Sequence, residues 1–248
     1  MSDDPFQPFL EEGYISDVVR QISGGKEASI WLCRAGEFAG DRELVVAKVY
    51  RDREHRDFRN RRVYVEGRIV LDERAGRAIR GKTGFGARVD EGLWQGHEWD
   101  VLSRLHASGV AVPEPIASTA EAMLLGFVGD DEGPAPQLRE LRPEPDACAD
   151  LWRQLRGAVE RMLRANVVHG DLSPFNVLVH DGRIVVIDLP QAVDPRTNPN
   201  AFALLERDLH NLATWFAKRG VEIAGAELAA DLWTAWEFAD LVPDELVP

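Results

Sequence analysis

The chain has 248 residues, a formal net charge of −13 and 45% hydrophobic residues. This length suggests one large domain or two joined lobes, and the hydrophobic content is ordinary for a globular protein with a buried core. The negative charge argues against nucleic-acid binding over the whole surface. Two cysteines cannot form a disulfide framework, and we see neither a signal peptide nor an apolar stretch near the roughly 20 residues that span a bilayer. We therefore expect a soluble, cytoplasmic protein.

The first half of the chain predicts mainly strands. Residues 1–13 are polar and predict an N-terminal leader. Apolar residues then alternate or cluster in three segments separated by turn-rich sequence, which predicts three antiparallel strands: Val18–Ile22, Ser29–Cys33 and Leu44–Tyr50. Arg51–Glu91 is charged and fits neither periodicity. Apolar residues at helical spacing predict a helix at Leu93–His106, and a short apolar run predicts a strand at Ala122–Val128.

The second half predicts mainly helices after a turn-rich hinge at Gly129–Pro136. Three helices and two short strands are predicted: helices Cys148–Ala165, Ala201–Lys218 and Glu227–Ala239, and strands Val177–Val179 and Ile184–Ile187. The sequence thus favours an α+β fold of two lobes, with a strand-rich N-lobe at 14–128 and a helix-rich C-lobe at 129–248. A basic, flexible insertion is expected at about 51–91. Such an arrangement offers a nucleotide cleft between the lobes.

Lys48 lies in LVVAKVY, an otherwise apolar strand. A buried lysine is costly unless it is paired, and kinases place a lysine in this context to bind the α- and β-phosphates of ATP. The expected partner is a glutamate on a following helix, for which Glu98 is the best candidate. SGGKEAS, at Ser23–Ser29, joins the first two strands, and its glycines let backbone N–H groups approach phosphates.

The chemistry is concentrated in VVHGDLSPFNVLVHDGRIVVIDLPQAVD, at Val167–Asp194. Asp171 and Asn176 have the spacing of the kinase catalytic loop, H-x-D-x-x-x-x-N. Asp171 is the candidate catalytic base, which orients the attacking hydroxyl, while Asn176 and Asp188 are the candidate Mg²⁺ ligands. We expect His169 to pack and to form hydrogen bonds. Asp208 lies on the predicted helix after the metal motif. In kinase folds, a buried aspartate at that place accepts hydrogen bonds from the backbone of the catalytic loop.

These motifs, taken in order, resemble the RIO family of atypical serine/threonine protein kinases over roughly residues 14–216. SGGKEAS resembles that family's S-T-G-K-E-A nucleotide loop, and HGDLSPFN resembles its catalytic loop H-[AG]-D-L-S-x-[FY]-N. VIDLPQAVD resembles its metal motif, I-D-x-x-Q-x-V. The long separation of Lys48 from Glu98 fits the extra loop of that family. Gly25 and Pro190 depart from the pattern of that family. No Ala-Pro-Glu motif follows Asp188, which implies the absence of a long activation segment, as in RIO kinases.

The resemblance implies a two-lobed, protein-kinase-like α+β fold. It also implies ATP and Mg²⁺ as cofactors, with Mn²⁺ as an alternative metal, and transfer to protein serine or threonine hydroxyls, including autophosphorylation. It implies that Asp171, Asp188 and Lys48 are catalytic and that Asp188 is a candidate for transient phosphorylation. Backbone groups of Gly126 and Val128 are expected to meet the adenine. The residues implied near the triphosphate are Ser23, Lys26, Glu27 and Ser29.

Two other functions remain open at this point. HGDL-x-P-x-N-V-L also fits small-molecule kinases of the aminoglycoside or choline phosphotransferase type. An ATPase switch in RNA–protein assembly is the second alternative, because residues 51–82 hold eleven Lys/Arg and six Asp/Glu, a local charge of about +5. The physiological acceptor and the oligomeric state are not fixed by any of these motifs.

Overall fold

The computed structural model describes residues 4–25, 27–51 and 84–239, with side chains between 84 and 239 described from Gly96 onward. By its internal contacts the chain divides into two compact units. The first unit holds the described residues from Asp4 to Arg51, the helical residues 84–103, and Pro113–Pro134. The second holds Arg104–Val112 and the described residues from Ala135 onward. The predicted lobe boundary at Gly129 stays a prediction.

The first unit is built on one five-stranded antiparallel sheet. Its elements are α1 (Gln7–Glu11), β1 (Ile15–Gly24), β2 (Ala28–Ala35), β3 (Leu44–Tyr50), α2 (Gly84–Ala107), β4 (Pro115–Ser118) and β5 (Ala122–Gly126). The last residues of α2, after Ser103, belong to the second unit. The strand order is β1-β2-β3-β5-β4, so β3 lies in the middle. The three predicted N-terminal strands are present and antiparallel, with β1 and β2 longer than predicted. A two-residue hairpin, β6 (Gly129–Asp130) and β7 (Gly133–Pro134), stands in the predicted hinge.

The core of this unit lies against the sheet. Buried side chains from α1, from strands β1–β3 and β5, and from the 3-10 helix Glu37–Ala39 form one cluster: Phe9, Ile15, Cys33, Ala39, Val45, Ala47, Ala122 and Leu124. Phe9, at 1% exposure, fixes α1 to the sheet, so the predicted leader includes a packed helix. The apolar β-branched residues of β3 favour a central strand because both of its edges and much of its surface are covered.

The second unit is mainly helical. Its further elements are α3 (Pro145–Arg164), β8 (Val177–His180), β9 (Arg183–Val186), α4 (Ala201–Ala217) and α5 (Gly225–Glu237). Each of α3 and α4 buries one apolar stripe, including Leu155 and Met162 on α3 and Leu209 on α4. The predicted helices and the two predicted strands are all present, with ends that differ from the prediction by at most three residues.

The β8–β9 hairpin places the two catalytic motifs. Asp181 and Gly182 both have positive φ angles (49° and 71°), as the two central residues of a type I′ hairpin turn require. The Gln154 side chain on α3 donates to the Gly182 carbonyl and accepts from the Ile184 N–H. The hairpin is therefore held to α3, and its two ends carry Asn176 before β8 and Asp188 after β9. Within the described residues no helix is long and apolar enough to cross a membrane.

Candidate active site

The first unit contributes a buried ion pair. Lys48 on β3 and Glu98 on α2 are 9% and 3% exposed, and Lys48 Nζ lies 2.6 Å from Glu98 Oε1. The Tyr50 hydroxyl donates to the other carboxylate oxygen, Oε2, at 2.9 Å. Lys48 is opposite Ile30 on β2 and Met123 on β5, so the central position of β3 fixes where its side chain emerges. The structure thus brings together the two residues that the sequence proposed as partners.

The SGGKEAS segment forms the β1–β2 connection. Ser23 and Ser29 lie at the facing strand ends, where Ser23 pairs with Ile30 and Gly24 with Ser29. The Gly25 N–H donates to the Ala28 carbonyl at 2.9 Å, which closes the turn. The Ser29 hydroxyl accepts from the Trp31 indole, and the Glu27 carbonyl accepts from the Arg51 N–H. Lys26 lies outside the described residues.

The predicted adenine-contacting segment follows β5. Gly126 is opposite Val45 on β3, and its N–H donates to the Glu114 carbonyl at 2.8 Å. The Glu114 side chain also pairs with Arg42 at 2.9 Å. The Gly126 N–H therefore already has an acceptor, and the contact of Gly126 and Val128 with adenine stays a prediction.

In the second unit, Asp171 and Asn176 are joined within one closed loop. Asn176 Nδ2 donates to the Asp171 backbone carbonyl at 2.9 Å and lies 3.4 Å from Asp171 Oδ2. The Asn176 N–H also donates to the Ser173 carbonyl. With the amide nitrogen used inside the loop, the amide oxygen of Asn176 is the atom that can act as a ligand. This is the orientation that a metal-binding asparagine needs.

The Asp188 segment is fastened to the same loop through Ile187. The Ile187 N–H donates to the Asn176 carbonyl at 3.0 Å. His169 Nδ1 accepts from the Asp171 N–H, so its Nε2 carries the proton and donates to the Ile187 carbonyl at 3.1 Å. His169 is 2% exposed and therefore braces the site as a buried hydrogen-bonding residue. Asp188 itself has a left-handed backbone, with φ 67°, and remains exposed.

Two neighbouring residues of α4, Arg207 and Asp208, form hydrogen bonds with the backbone of the catalytic loop. Asp208, buried at 2% exposure, accepts hydrogen bonds from the Gly170 N–H at 2.8 Å and the Leu172 N–H at 3.0 Å. Arg207 donates to the Gly170 carbonyl. Gly170 has φ 79°, where a side chain would be strained. The Asp208 carboxyl group thus accepts from the N–H groups on both sides of Asp171, while the Arg207 guanidinium donates to the carbonyl that precedes it.

The pKa values of two carboxyl groups at the catalytic loop, Asp171 and Asp208, are both raised. Partial desolvation raises the pKa of Asp171, and the Asp188 carboxylate adds to that rise, while Arg207 and Asn176 oppose it. Burial raises the pKa of Asp208 to about 8, against the opposing effect of the two backbone N–H groups and Arg207. A base whose pKa is raised from 3.8 toward neutrality is better matched to accept a proton near pH 7.

The donor set of the second unit fits Mg²⁺. Asn176 and Asp188 offer an amide oxygen and a carboxylate, which are hard oxygen ligands. In the part of the chain that the structure describes, no group of three or more His, Cys, Asp or Glu side chains could hold a metal ion. Mg²⁺ suits such a sparse site because it keeps several waters and takes other ligands from substrate phosphates.

Sequence reasoning did not single out Tyr50 or Arg207. Tyr50 lies two residues after Lys48 on the same strand face, which is the signal that could have suggested it. Arg207 directly precedes Asp208, but no spacing rule indicates that its side chain reaches Gly170. Residues 52–83, which contain most of the basic segment, lie outside the described residues.

The whole arrangement is that of a kinase-like α+β fold. A solved structure described as the Rio2 kinase-ADP/Mg²⁺-phosphoaspartate complex from Chaetomium thermophilum matches with a TM-score of 0.64 at 20% sequence identity. The match covers 96% of this chain and 70% of that one. The predicted fold class is confirmed.

Sequence comparison establishes the family. The RIO domain family model matches residues 32–228. The RIO-type serine/threonine-protein kinase Rio1 of Haloferax volcanii is 35% identical over 88% of this chain and 70% of its own length. The serine/threonine-protein kinase RIO1 of Chaetomium thermophilum is 32% identical over 86% of this chain, which spans 42% of that relative. The chain belongs to the RIO family, as its motifs predicted.

Proposed function

We propose that this protein is a RIO-type kinase that transfers the γ-phosphoryl group of ATP to serine or threonine hydroxyls of protein. The observation that carries the proposal is the braced loop of the second unit. Asp171, Asn176 and Asp188 are tied together through Ile187 and His169, at the sequence spacing of a catalytic loop and its metal motif. The family and the names of the relatives support protein as the acceptor class.

The residues of the first unit serve nucleotide binding in this proposal. Lys48 binds the α- and β-phosphates, and Glu98 holds its ammonium group in place while Tyr50 holds Glu98. The turn with Ser23, Glu27 and Ser29 lies beside the triphosphate, together with Lys26. Gly126 and Val128 contact the adenine through their backbone. Preorganised contacts of this kind provide most of the catalysis in phosphoryl transfer, because little covalent chemistry is left to the protein.

The residues of the second unit serve the chemical step. Asn176 and Asp188 would hold Mg²⁺, or Mn²⁺ in its place, and the chemistry that such an ion would supply is neutralisation of charge on the phosphate oxygens. Asp171 accepts the proton of the acceptor hydroxyl and aligns its oxygen with the γ-phosphorus. The bond from the γ-phosphorus to the bridging oxygen breaks, the bond to the acceptor oxygen forms, and ADP leaves with the electron pair. Asp208 and Arg207 keep the Asp171 backbone in register for this alignment.

Asp188 has a second proposed role. One solved structure with this fold is named as a phosphoaspartate complex. In this chain Asp188 is exposed, has a left-handed backbone and follows a firmly held strand, so its carboxylate is presented at a fixed place. We propose it as the site of any aspartyl-phosphate that forms during turnover.

The test is transfer of labelled γ-phosphate from ATP with Mg²⁺. The wild-type chain is expected to label itself and added protein acceptors, and Asp171→Asn and Asp188→Asn are expected to abolish the labelling. Asp181→Asn is the matched control, because Asp181 is an exposed carboxylate in the turn between the two motifs. Labelling only of small alcohols or aminoglycosides would refute the protein acceptor, and full activity of Asp188→Asn would refute the metal assignment.

A further inference from the structure

Phe175 is an exposed aromatic residue within the catalytic loop. It is 56% exposed, although it lies between Pro174 and Asn176 in a loop whose other residues are held by hydrogen bonds. Single exposed apolar residues on a protein surface need no explanation by themselves. A large exposed ring inside the Asp171–Asn176 loop does, because an acceptor bound at Asp171 lies beside the loop that carries the ring.

The ring is fixed in place by a second residue, Arg139. The Arg139 guanidinium carbon lies 4.7 Å from the centre of the Phe175 ring, within the range of a cation–π contact. The Arg139 N–H also donates to the Pro174 carbonyl at 3.0 Å, so backbone and side chain both support the loop at this point. Arg139 lies in the short 3-10 helix Leu138–Glu140, whose start is closed by a capping box between Gln137 and Glu140.

The charge of Arg139 is already engaged. Its Nε donates to Gln137 Oε1 at 2.6 Å, and its Nη2 lies 3.3 Å from Glu140 Oε1. The surface that remains for a ligand is therefore the apolar surface of the Phe175 ring, and it carries little excess charge. One face of the ring already holds the Arg139 guanidinium, so the remaining ring surface suits an apolar side chain better than a second cation or a hydrated carboxylate.

Distance limits which part of an acceptor can touch it. Asn176 contacts Asp171 directly and is the next residue after Phe175. Consecutive Cα atoms lie about 3.8 Å apart, and an extended chain advances about 3.3–3.6 Å per residue. The ring is therefore within reach of acceptor residues that lie about one to three positions from the serine or threonine whose hydroxyl binds Asp171.

We propose that Phe175, supported by Arg139, contacts the acceptor polypeptide and selects an apolar side chain beside the phosphorylated serine or threonine. This inference rests on the proposed protein kinase function. It assigns the exposed ring to the acceptor rather than to ATP, and it makes Phe175 a specificity-determining residue of the reaction.

The test compares synthetic peptides that each contain one serine. The flanking positions, up to three residues on either side, carry Leu, Glu, Lys or only Ala and Gly. Wild-type protein is expected to prefer Leu-containing peptides. Phe175→Ala should lower kcat/KM for these by roughly tenfold, mainly through the KM for peptide and not the KM for ATP. Phe175→Leu should restore much of the preference because it restores apolar surface.

Phe238→Ala is the matched control, since Phe238 is another exposed phenylalanine of the same unit, at 69% exposure. It is expected to leave the preference for Leu unchanged. An equal loss on all peptides with Phe175→Ala, or a rise in the KM for ATP, would show that Phe175 only supports the loop and would overturn the inference alone. A wild-type chain that hydrolyses ATP but labels no peptide or protein would instead overturn the proposed function, and the inference with it.

Discussion

The Lys48–Glu98 ion pair allows a quantitative test of the first unit. Replacing Lys48 by Met removes the ammonium group that lies 2.6 Å from Glu98 Oε1 and leaves a carboxylate at 3% exposure. Removing one partner of a buried pair costs about 3–5 kcal/mol, because the remaining charge is uncompensated. The Tyr50 hydroxyl still donates to Glu98 Oε2, so we expect a loss near the lower end, about 3 kcal/mol in the free energy of unfolding.

A second substitution separates lost charge from lost packing. In Lys48→Met/Glu98→Gln the buried group is neutral and can still accept from Tyr50. We expect this double variant to recover about half or more of the lost stability, because a neutral amide costs far less to bury than an unpaired carboxylate. Arg42→Met is the control, since it breaks an ion pair of similar length at 2.9 Å whose side chains are 26% and 49% exposed. Such exposed pairs contribute only about 0.2–1 kcal/mol.

The measurement is urea unfolding followed by tryptophan fluorescence, with free energies compared across the four proteins. The reasoning is refuted if Lys48→Met costs no more than Arg42→Met. It is also refuted if the double variant is no more stable than Lys48→Met. Either result would mean that the loss of stability in Lys48→Met does not come from leaving the buried Glu98 carboxylate without a partner.

Four further outcomes are expected. Lys48→Ala should impair phosphoryl transfer by misaligning the phosphates, and unchanged turnover would count against its role. Asp208→Asn should destabilise the fold by about 1–3 kcal/mol near pH 5, measured by urea unfolding, because one of two buried N–H groups loses its acceptor. The folded state holds a proton on Asp208 up to about pH 8, whereas the unfolded state releases it near 3.8, so wild-type stability should fall as pH rises through this window, and the fall should be smaller in Asp208→Asn. Any RNA affinity of the basic segment 51–82 should weaken steeply with added salt, and its absence at low ionic strength would remove the RNA hypothesis.

Patterns local in sequence predicted much of the fold. The alternation of LVVAKVY gave the central strand at Leu44–Tyr50 with the bounds that the structure has. The apolar stripe of α3 predicted a helix within three residues of its observed ends. Such patterns succeed because strand and helix periodicity depends on neighbours within a few residues. The strand Pro115–Ser118 was missed because Pro113 before it and Pro115 at its first position suggest a break, and the pairing with β5 that forms it is not a local signal.

The sequence by itself determined the chemistry on offer: the spacing of Asp171, Asn176 and Asp188, and the lysine in an apolar strand. Only the tertiary structure decided which groups meet. Glu98 was one of several acidic residues in its helix, and its contact with Lys48 spans 50 positions. The hydrogen bond from Arg207 to the Gly170 carbonyl spans 37 positions. Contacts across such separations depend on how elements pack and where side chains then point, which no short sequence window contains.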